Sequence, residues 1–274
     1  MTGEPAERIV ATILGCGSSG GVPRIGNVWG ACDPANPRNR RRRCSVLLTG
    51  TRADSTGATR VVIDTGCDLR EQMIDARVSE IDAVLYTHDH ADHTHGIDDL
   101  RVLALNARSR VDCYMTEPTA RRLHEAFGYC FASPADSAYP PILNAHIIAD
   151  GERMTIDGAG GQIEIAAFEQ THGTITSLGF RIDAFAYSCD LSALPESSEW
   201  AVTGLETWVL DALRYSPHPS HLSLEESLAL IARHAPRQSV LTNLHIDLDH
   251  DILDGETPEH VRPAYDGMEI VIRG

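Results

Sequence analysis

The sequence predicts an α/β fold in which two mixed β-sheets pack face to face and helices flank them on both sides. Short runs rich in β-branched residues recur along the chain, and segments with helical spacing lie between clusters of these runs. Because a sheet must bury its apolar faces, two sheets covered by helices form the simplest architecture for this order of elements. The length of 274 residues and the lack of a low-complexity linker predict a single domain over residues 1–274.

The individual elements follow from local patterns. The predicted strands are Ile9–Leu14, Ser45–Leu48, Val61–Asp64, Ala83–Thr87, Val111–Met115, Ile163–Phe168, Leu178–Ile182, Phe185–Ser188, Thr207–Leu210, Ser239–Leu244 and Met268–Ile272. The predicted helices are Asp68–Arg77, Asp98–Ala107, Thr116–Phe127 and Ser223–Ala235. The last helix has clear boundaries, because Ser223 can cap it, Glu226 follows three residues later and Pro236 ends it. The Pro- and Ala-rich segment 129–144 is predicted to be a loop, either a mobile flap or an inert connection.

Composition restricts the classes of function. The chain carries 23 Lys and Arg against 39 Asp and Glu, for a formal net charge of −16. Such an acidic surface argues against general affinity for nucleic acid or anionic membranes, which need basic patches. The seven cysteines are irregularly spaced and contain no C-x-x-C pair, which favours a reducing compartment. No stretch approaches the ~18 apolar residues of a membrane span, and the first residues lack a signal-peptide pattern. We therefore expect a cytoplasmic protein.

The most informative motif is H-D-H-A-D-H at residues 88–93, directly after the apolar run 81–87. Polar groups crowded at a strand end are costly unless something organises them. Imidazole nitrogens and carboxylate oxygens are ligands that suit Zn²⁺, Mn²⁺ and Fe²⁺. The motif therefore predicts a metal site.

Residues that complete this site must lie at the same edge of the sheets. His172, Asp190 and His245 each come just after a predicted strand. Together they would add two imidazoles and one carboxylate. From chemistry alone, a lone histidine at a strand end is more often structural than a ligand, and each of the three is first read in that way.

The H-x-H-x-D-H motif, followed in order by a strand-end His, an Asp and a His, resembles the metallo-β-lactamase fold superfamily. The likeness extends from Ile13 to His245. It implies two divalent metal ions per chain, Zn²⁺ or Mn²⁺, with Fe²⁺ as a further option. The implied ligands are His88, His90 and His172 for one ion, Asp92, His93 and His245 for the other, and Asp190 as a bridge.

Two neighbouring residues compete for the bridging position, since some lactamases of this superfamily use a thiolate ligand. Adjacent residues of a strand point to opposite faces, so we expect only one of Cys189 and Asp190 to reach the metals. We assign Asp190 as the ligand and Cys189 as a buried core thiol. Asp64, in the segment V-I-D-T-G, is expected to orient the ligands through hydrogen bonds.

Two early segments bear on the substrate. The segment 15–23, G-C-G-S-S-G-G-V-P, either offers backbone amides to a phosphate or forms a tight turn; Pro23 and Gly26 argue against a dinucleotide-binding helix. Five arginines within residues 38–43 either pair with the acidic body or contact the substrate. Together the segments resemble the branch that contains phosphoribosyl 1,2-cyclic phosphate phosphodiesterases. Only Cys32 lies between Val22 and Arg43, so we expect no structural zinc of the kind that those enzymes hold in this loop.

His221 is a candidate catalytic residue by the same resemblance, because family members carry a comparable His just before a helix. It would contact the phosphate or protonate the leaving oxygen, for which an imidazole is suited near neutral pH. The other interpretation is a capping or surface His. Asp92, besides binding metal, is expected to accept the proton of the attacking hydroxide.

The resemblance implies a dinuclear metal-dependent phosphodiesterase that cleaves a small cyclic or nucleotide-like phosphodiester through a hydroxide bridging the metals. Two alternatives stay open. One is thioester (glyoxalase II-like) or lactam hydrolysis on the same metals, and the other is a non-catalytic, metal-dependent nucleotide-binding protein. The expected binding partner is a small phosphate ester. We do not expect binding to a membrane or to a large nucleic acid, and the formation of a homodimer is left open.

Overall fold

The computed structural model describes residues 3–133 and 138–274. Two seven-stranded sheets, each mixed, form the centre of the described structure and confirm the predicted fold class. The first sheet has, in spatial order, β14 (Glu269–Arg273), β1 (Arg8–Gly15), β2 (Ser45–Thr51), β3 (Ala58–Ile63), β4 (Ala83–Leu85), β5 (Val111–Met115) and β6 (Leu143–Ile147). The second has β13 (Val261–Pro263), β12 (Gln238–Thr242), β11 (Thr207–Asp211), β10 (Phe185–Ser188), β9 (Ile175–Ile182), β8 (Ile163–His172) and β7 (Arg153–Ile156).

Helices cover the outer face of each sheet. The α-helices are α1 (Leu69–Asp75), α2 (Ala91–Thr94), α3 (Leu100–Ala107), α4 (Glu117–Phe131), α5 (Leu224–His234) and α6 (His250–Glu256). Short 3₁₀ helices occupy Pro37–Asn39, Ile97–Asp99 and Glu196–Val202. No helix in the described ranges is both long and apolar enough to cross a membrane.

Alternation along the strands divides the core into layers. In β3, Val61 and Ile63 point into the core between the sheets, whereas Val62 packs on the opposite face. That outer layer is closed by apolar residues of α1, α3 and α4, and α5 and α6 close the corresponding layer on the second sheet. Both faces of the central strands are therefore buried, as expected for sheets covered by helices.

The structure adds elements that the sequence patterns did not predict. These are β6, β7, β13, α2 and α6. Strands β7 and β13 span only four and three residues, and α2 is a single turn inside the 88–93 motif, so these three elements are too short for a distinctive apolar pattern. The predicted loop 129–144 begins inside α4 and ends inside β6, and residues 134–137 of it lie outside the described residues. Helix α5 begins at the predicted Ser223–Glu226 capping box.

Strand direction brings the chemically interesting residues to one edge. Strands β10, β11 and β12 are parallel, as are β3 and β4, so their carboxyl ends lie together within each sheet. The amide of Leu178 donates to the carbonyl oxygen of Thr87 at 2.8 Å. This bond links β9 of the second sheet to the segment that follows β4, and joins the two sheets at that edge.

Candidate metal centre

Three Asx residues in the left-handed conformation mark the strand ends at this edge. Asp64 (φ 62°) follows β3, Asp190 (φ 55°) follows β10 by two residues, and Asn243 (φ 61°) follows β12. Asp and Asn tolerate this conformation better than most residues, and it recurs where function requires an unusual backbone. Each strand therefore ends in a sharp change of direction at the edge where the ligand candidates lie.

The first cluster contains His88, His90, His172 and Asp190, whose ligand atoms all lie within 4.8 Å of one another. Asp190 Oδ2 is 3.6 Å from His88 Nε2 and 3.6 Å from His172 Nε2. His90 Nδ1 lies 3.3 Å from His172 Nε2. A single ion can be reached by all four side chains.

The second cluster shares one oxygen atom with the first. His93 Nε2 lies 3.4 Å from Asp190 Oδ2 and 3.4 Å from Asp92 Oδ2. Asp190 Oδ2 thus faces imidazoles on both sides, which is the position that a carboxylate bridging two cations would take.

Hydrogen bonds from the surrounding residues hold two of the rings. Asp64 Oδ2 lies 2.7 Å from His93 Nδ1, and Asp64 itself accepts hydrogen bonds from the amide and hydroxyl of Thr87 at 2.8 Å each. The Thr87 hydroxyl is 2.9 Å from His88 Nδ1. Because these partners occupy Nδ1, they leave Nε2 of each ring for a metal. This is the orienting role expected for Asp64.

His172 is held in the same way by a different loop. Its Nδ1 atom donates to the carbonyl oxygen of Ser220 at 2.7 Å. Ser220 precedes α5 and immediately precedes His221, so the loop that carries the candidate acid also fixes a candidate ligand. The Nε2 atom of His172 remains directed at Asp190.

The donor set fits a divalent cation. Among the described residues, His88 Nε2 is buried and has no hydrogen-bond partner. Burial, together with the charge of His93, lowers the pKa of His88 well below its ordinary value, so this ring is neutral. Burial opposes ionisation of Asp190, but the neighbouring imidazoles outweigh it and hold the pKa of that carboxyl well below its usual range. Neutral imidazole and ionised carboxylate are the forms that bind metals, and an orphaned buried nitrogen is costly without a partner.

His245 lies apart from these clusters. No ligand cluster found in residues 3–133 and 138–274 includes it. Its Nε2 atom contacts the guanidinium of Arg24, and its Nδ1 atom is 3.0 Å from Asp247 Oδ2. The structure therefore brings five of the seven predicted ligands into these clusters, places Asp92 3.4 Å from His93 Nε2, and places His245 beside an arginine.

Cys189 and Asp190 differ in environment, although strand alternation is not the reason. Strand β10 ends at Ser188, so the alternation rule does not apply to the next two residues. Cys189 is buried in the core between the sheets, and its thiol lies 3.1 Å from Asp190 Oδ1. Burial raises the pKa of the Cys189 thiol well above its ordinary value. The Cys189 Sγ atom lies within 4.8 Å of ligand atoms of His93 and Asp190, so the raised pKa, rather than distance, distinguishes it from the ionised Asp190 as a ligand candidate.

His221 lies next to the first cluster, with its ring centroid 4.7 Å from that of His172. Its Nδ1 atom is 2.9 Å from Asp211 Oδ2 and 3.1 Å from Asn243 Nδ2. Burial alone lowers the pKa of His221, but the hydrogen bond and charge of Asp211 reverse the effect and raise it. Burial raises the pKa of Asp211 to about 6, against the opposing influence of His221.

Asp211 and Asn243 were missed by the sequence reasoning. Asp211 is the last residue of β11, and Asn243 follows β12. Both satisfy the strand-end rule by which His172 and His245 were found. Asn243 also donates to Asp190 Oδ1 at 3.0 Å, so it connects the bridging candidate to His221.

The two early segments have mainly structural contacts. Amides of Gly17, Ser18, Gly21 and Val22 donate to backbone carbonyl oxygens, which favours the tight-turn interpretation. The arginine-rich segment pairs with the acidic body: its members contact Asp266, Asp75 and Asp68, and Arg41 is buried against Asn39 and Cys32.

The whole chain is similar to known proteins. The family described as beta-lactamase superfamily domain matches residues 59–246. A crystal structure of a diphosphatase from the PhnP family is 32% identical, covers 97% of each chain and has a TM-score of 0.84. Zinc-bound PqqB from Methylobacterium extorquens shares the fold, with 16% identity, coverage of 95% and 99%, and a TM-score of 0.73. A Porphyromonas gingivalis protein named octanoyltransferase is 27% identical over 263 residues, which are 95% of this chain and 51% of that protein. The chain thus spans about half the length of this relative.

Proposed function

This chain belongs to the metallo-β-lactamase superfamily and, within it, to the PhnP-like branch, and on that premise we propose that it hydrolyses a small cyclic or nucleotide-like phosphodiester. Its family and its His/Asp cluster are those of a metal-dependent hydrolase. The observation that carries the proposal is the single oxygen, Asp190 Oδ2, that faces both ligand clusters. His221 and Asp211 stand beside that oxygen, where a leaving group would need a proton donor.

The proposed ligands are those that the sequence suggested: His88, His90 and His172 on one side, Asp92, His93 and His245 on the other, and Asp190 shared. Two divalent cations there would activate water and neutralise charge on the phosphoryl oxygens. Joining His245 to this set requires that its ring leave the guanidinium of Arg24. Zn²⁺, Mn²⁺ and Fe²⁺ all suit these nitrogen and oxygen donors.

The remaining steps belong to protein side chains. Asp211 accepts the Nδ1 proton of His221, so the Nε2 atom of His221 is the one that can give a proton to the leaving oxygen. Asp92 Oδ2 lies at the edge of the second cluster and would accept the proton lost by the attacking water. Asp64, Thr87 and the carbonyl oxygen of Ser220 keep the ligand rings in place throughout.

Thioester hydrolysis is the second candidate. The Porphyromonas gingivalis relative is named for the transfer of an octanoyl group, and this chain matches about half of its length. Acyl cleavage at the same metals would need neither a protonated His221 nor a phosphate-binding arginine. A substrate panel therefore separates the two chemistries.

The test is hydrolysis of bis(p-nitrophenyl) phosphate by protein reconstituted separately with Mn²⁺ and Zn²⁺. An octanoyl thioester and a β-lactam are assayed in parallel, with His88→Ala and Asp190→Ala as controls. Turnover of the diester that both substitutions abolish supports the proposal. Turnover of the thioester with an inert diester would replace it by the second candidate, and ligand binding without any turnover would indicate a sensor.

A further inference from the structure

The two oxygen atoms of the Asp190 carboxylate have different surroundings. Oδ2 faces the Nε2 atoms of three imidazoles of the two clusters at 3.4 to 3.6 Å. Oδ1 instead accepts hydrogen bonds from Asn243 Nδ2 at 3.0 Å and from the Cys189 thiol at 3.1 Å. Each oxygen of a carboxylate has two lone pairs, so these two donors match the full capacity of Oδ1. Oδ2 is therefore the oxygen that is left for a cation.

The position of Asn243 is fixed by backbone hydrogen bonds on both sides of it. The carbonyl oxygen of Thr242 accepts a hydrogen bond from the amide of Ala212 at 3.0 Å. The amide of Leu244 donates to the carbonyl oxygen of Cys16 at 2.8 Å. Asn243 itself is buried and has a φ of 61°, a conformation that Asn tolerates better than most residues. The direction of its side chain is therefore set by the fold around the end of β12.

The amide group of Asn243 also separates Asp190 from His221. Ligand atoms of Asp190, Asp211 and His221 all lie within 4.8 Å of one another, so the histidine is close to both carboxylates. Asn243 Nδ2 lies 3.0 Å from Asp190 Oδ1 and 3.1 Å from His221 Nδ1. Because an amide nitrogen offers only donors, it cannot accept the Nδ1 proton of His221. Asp211 Oδ2, at 2.9 Å, accepts that proton, and Asp190 stays available to the metals.

We propose that Asn243 is a positioning residue of the metal centre, which holds Asp190 so that Oδ2 alone is presented to the two cations. A carboxylate with both oxygens free can bind one ion through both of them, and it then no longer serves as a bridge. The hydrogen bond from Asn243 prevents this rotation, because it retains Oδ1 on the protein side. The inference rests on the proposed metal ligands, but it does not depend on the identity of the substrate.

The test removes the amide donor in two ways. Asn243→Asp keeps the shape of the side chain, and Asn243→Gly keeps the left-handed backbone conformation. Both substitutions remove the hydrogen bond to Asp190 Oδ1. Asn144→Asp is the matched control, because Asn144 Nδ2 also donates to a carboxylate oxygen, that of Asp112, at 2.9 Å. Asn144 lies near the start of β6, whereas the ligands lie beyond the carboxyl ends of the strands.

Metal affinity is measured by competition with a chromogenic chelator, and the paired site by electron paramagnetic resonance of the Mn²⁺-loaded proteins. We expect both Asn243 variants to bind metal about tenfold to hundredfold more weakly than the wild type. They should also lose the exchange-coupled signal that two Mn²⁺ ions sharing one oxygen atom give, whereas Asn144→Asp should keep it. The Tm of each metal-free protein reports the effect on the fold, and a purely structural role would lower this Tm without removing the coupled signal.

Two results would overturn the proposal. One is wild-type metal affinity with a retained coupled signal in both Asn243 variants. The other is a sulfur-to-cobalt charge-transfer band in the Co²⁺-loaded wild type, since Cys189 would then be a ligand and not a donor to Oδ1. If bis(p-nitrophenyl) phosphate is not cleaved but metal affinity depends on Asn243, the proposed hydrolysis fails while the positioning role stands. The two hypotheses are therefore separable.

Discussion

Asp211 Oδ2 lies 2.9 Å from Nδ1 of His221 and also accepts a hydrogen bond from the amide of Leu191 at 3.2 Å. This pairing fixes the ring orientation of His221 and leaves Nε2 as the atom that faces away from the carboxylate. Asp211 is completely buried, so water cannot replace it in that role. The pair links the end of strand β11 to the loop before α5.

Replacing Asp211 by Asn should therefore impair catalysis without removing the metals. The amide group would offer a donor to Nδ1 and favour the opposite tautomer of His221. We expect kcat to fall about tenfold to hundredfold, measured by steady-state kinetics, with metal content unchanged. Asp112→Asn is the matched control, because Asp112 pairs with a different histidine, His146, at 2.9 Å. An unchanged kcat in Asp211→Asn would contradict the role given to this pair.

His221→Ala should lower turnover more than replacement of the neighbouring His218 does. Loss of a general acid costs about 10²–10⁴ in kcat, and the ligands of the first cluster remain in place. His218→Ala is the control, since its ring lies 5.0 Å from that of His221 and bonds to Ser220 instead. Metal analysis of both variants shows whether binding is intact. Equal activity of the two variants would remove His221 from the mechanism.

Asp64→Asn should weaken metal binding. The buried carboxylate holds His93 Nδ1 at 2.7 Å, and loss of such a partner costs about 10- to 100-fold in metal affinity. Competition with a chromogenic chelator measures this directly. Asp82→Asn, at the opposite end of β4, serves as the control because its carboxylate accepts a hydrogen bond from the amide of Arg60, away from the metal centre. If Asp64→Asn and Asp82→Asn bind metal equally well, Asp64 does not orient the ligand.

Metal binding should stabilise the fold measurably. An ion that binds only the native state at 100 times its Kd adds about 2.7 kcal/mol, which corresponds to about 5–10 °C in Tm for a chain of this size. Thermal unfolding with Zn²⁺ and with excess EDTA measures the difference. His88→Ala should abolish most of it. A metal-independent Tm in the wild type would show that the clusters do not bind ions tightly.

The Asp249 carboxylate should make the free energy of unfolding depend on pH. Its carboxylate caps α6 and accepts hydrogen bonds from Asn39 and the amide of Asp33. Burial opposes its ionisation, but these bonds outweigh it and lower the pKa of Asp249. A carboxyl whose pKa is lower in the folded than in the unfolded state stabilises above the unfolded pKa of about 3.9, and this is lost as pH falls through the folded value.

Asp249→Ala should therefore lose about 1–3 kcal/mol of unfolding free energy at neutral pH. Urea denaturation from pH 7 down to pH 3 should show that the difference in unfolding free energy between the variant and the wild type becomes smaller at the acid end. Asp254→Ala, which alters an exposed carboxylate of the same helix, is the control. A gap that stays constant to pH 3 would show that ionisation of Asp249 does not contribute.

The two-sheet architecture, the capped helix α5 and the local ligand motif could all be predicted from the amino-acid sequence. These depend on residues close together in the chain: the period of apolar residues, the Ser223–Glu226 box and three imidazoles within residues 88–93. Such patterns lie within short stretches of the chain, so they can be recognised without knowing which segments meet in the fold. The strand-end positions of His172 and Asp190 followed from the same patterns.

Which partners surround those residues depends on contacts between distant parts of the chain. The Ser220 carbonyl oxygen contacts His172, which lies 48 residues away in the chain, and Arg24 contacts His245, which lies 221 residues away. Strand order sets these encounters, because parallel strands place their carboxyl ends at one edge whatever their distance in the chain. The role of Asp211 and the left-handed turn at Asp190 likewise depend on the tertiary fold. Their roles depend on burial and on neighbours that chain periodicity does not encode.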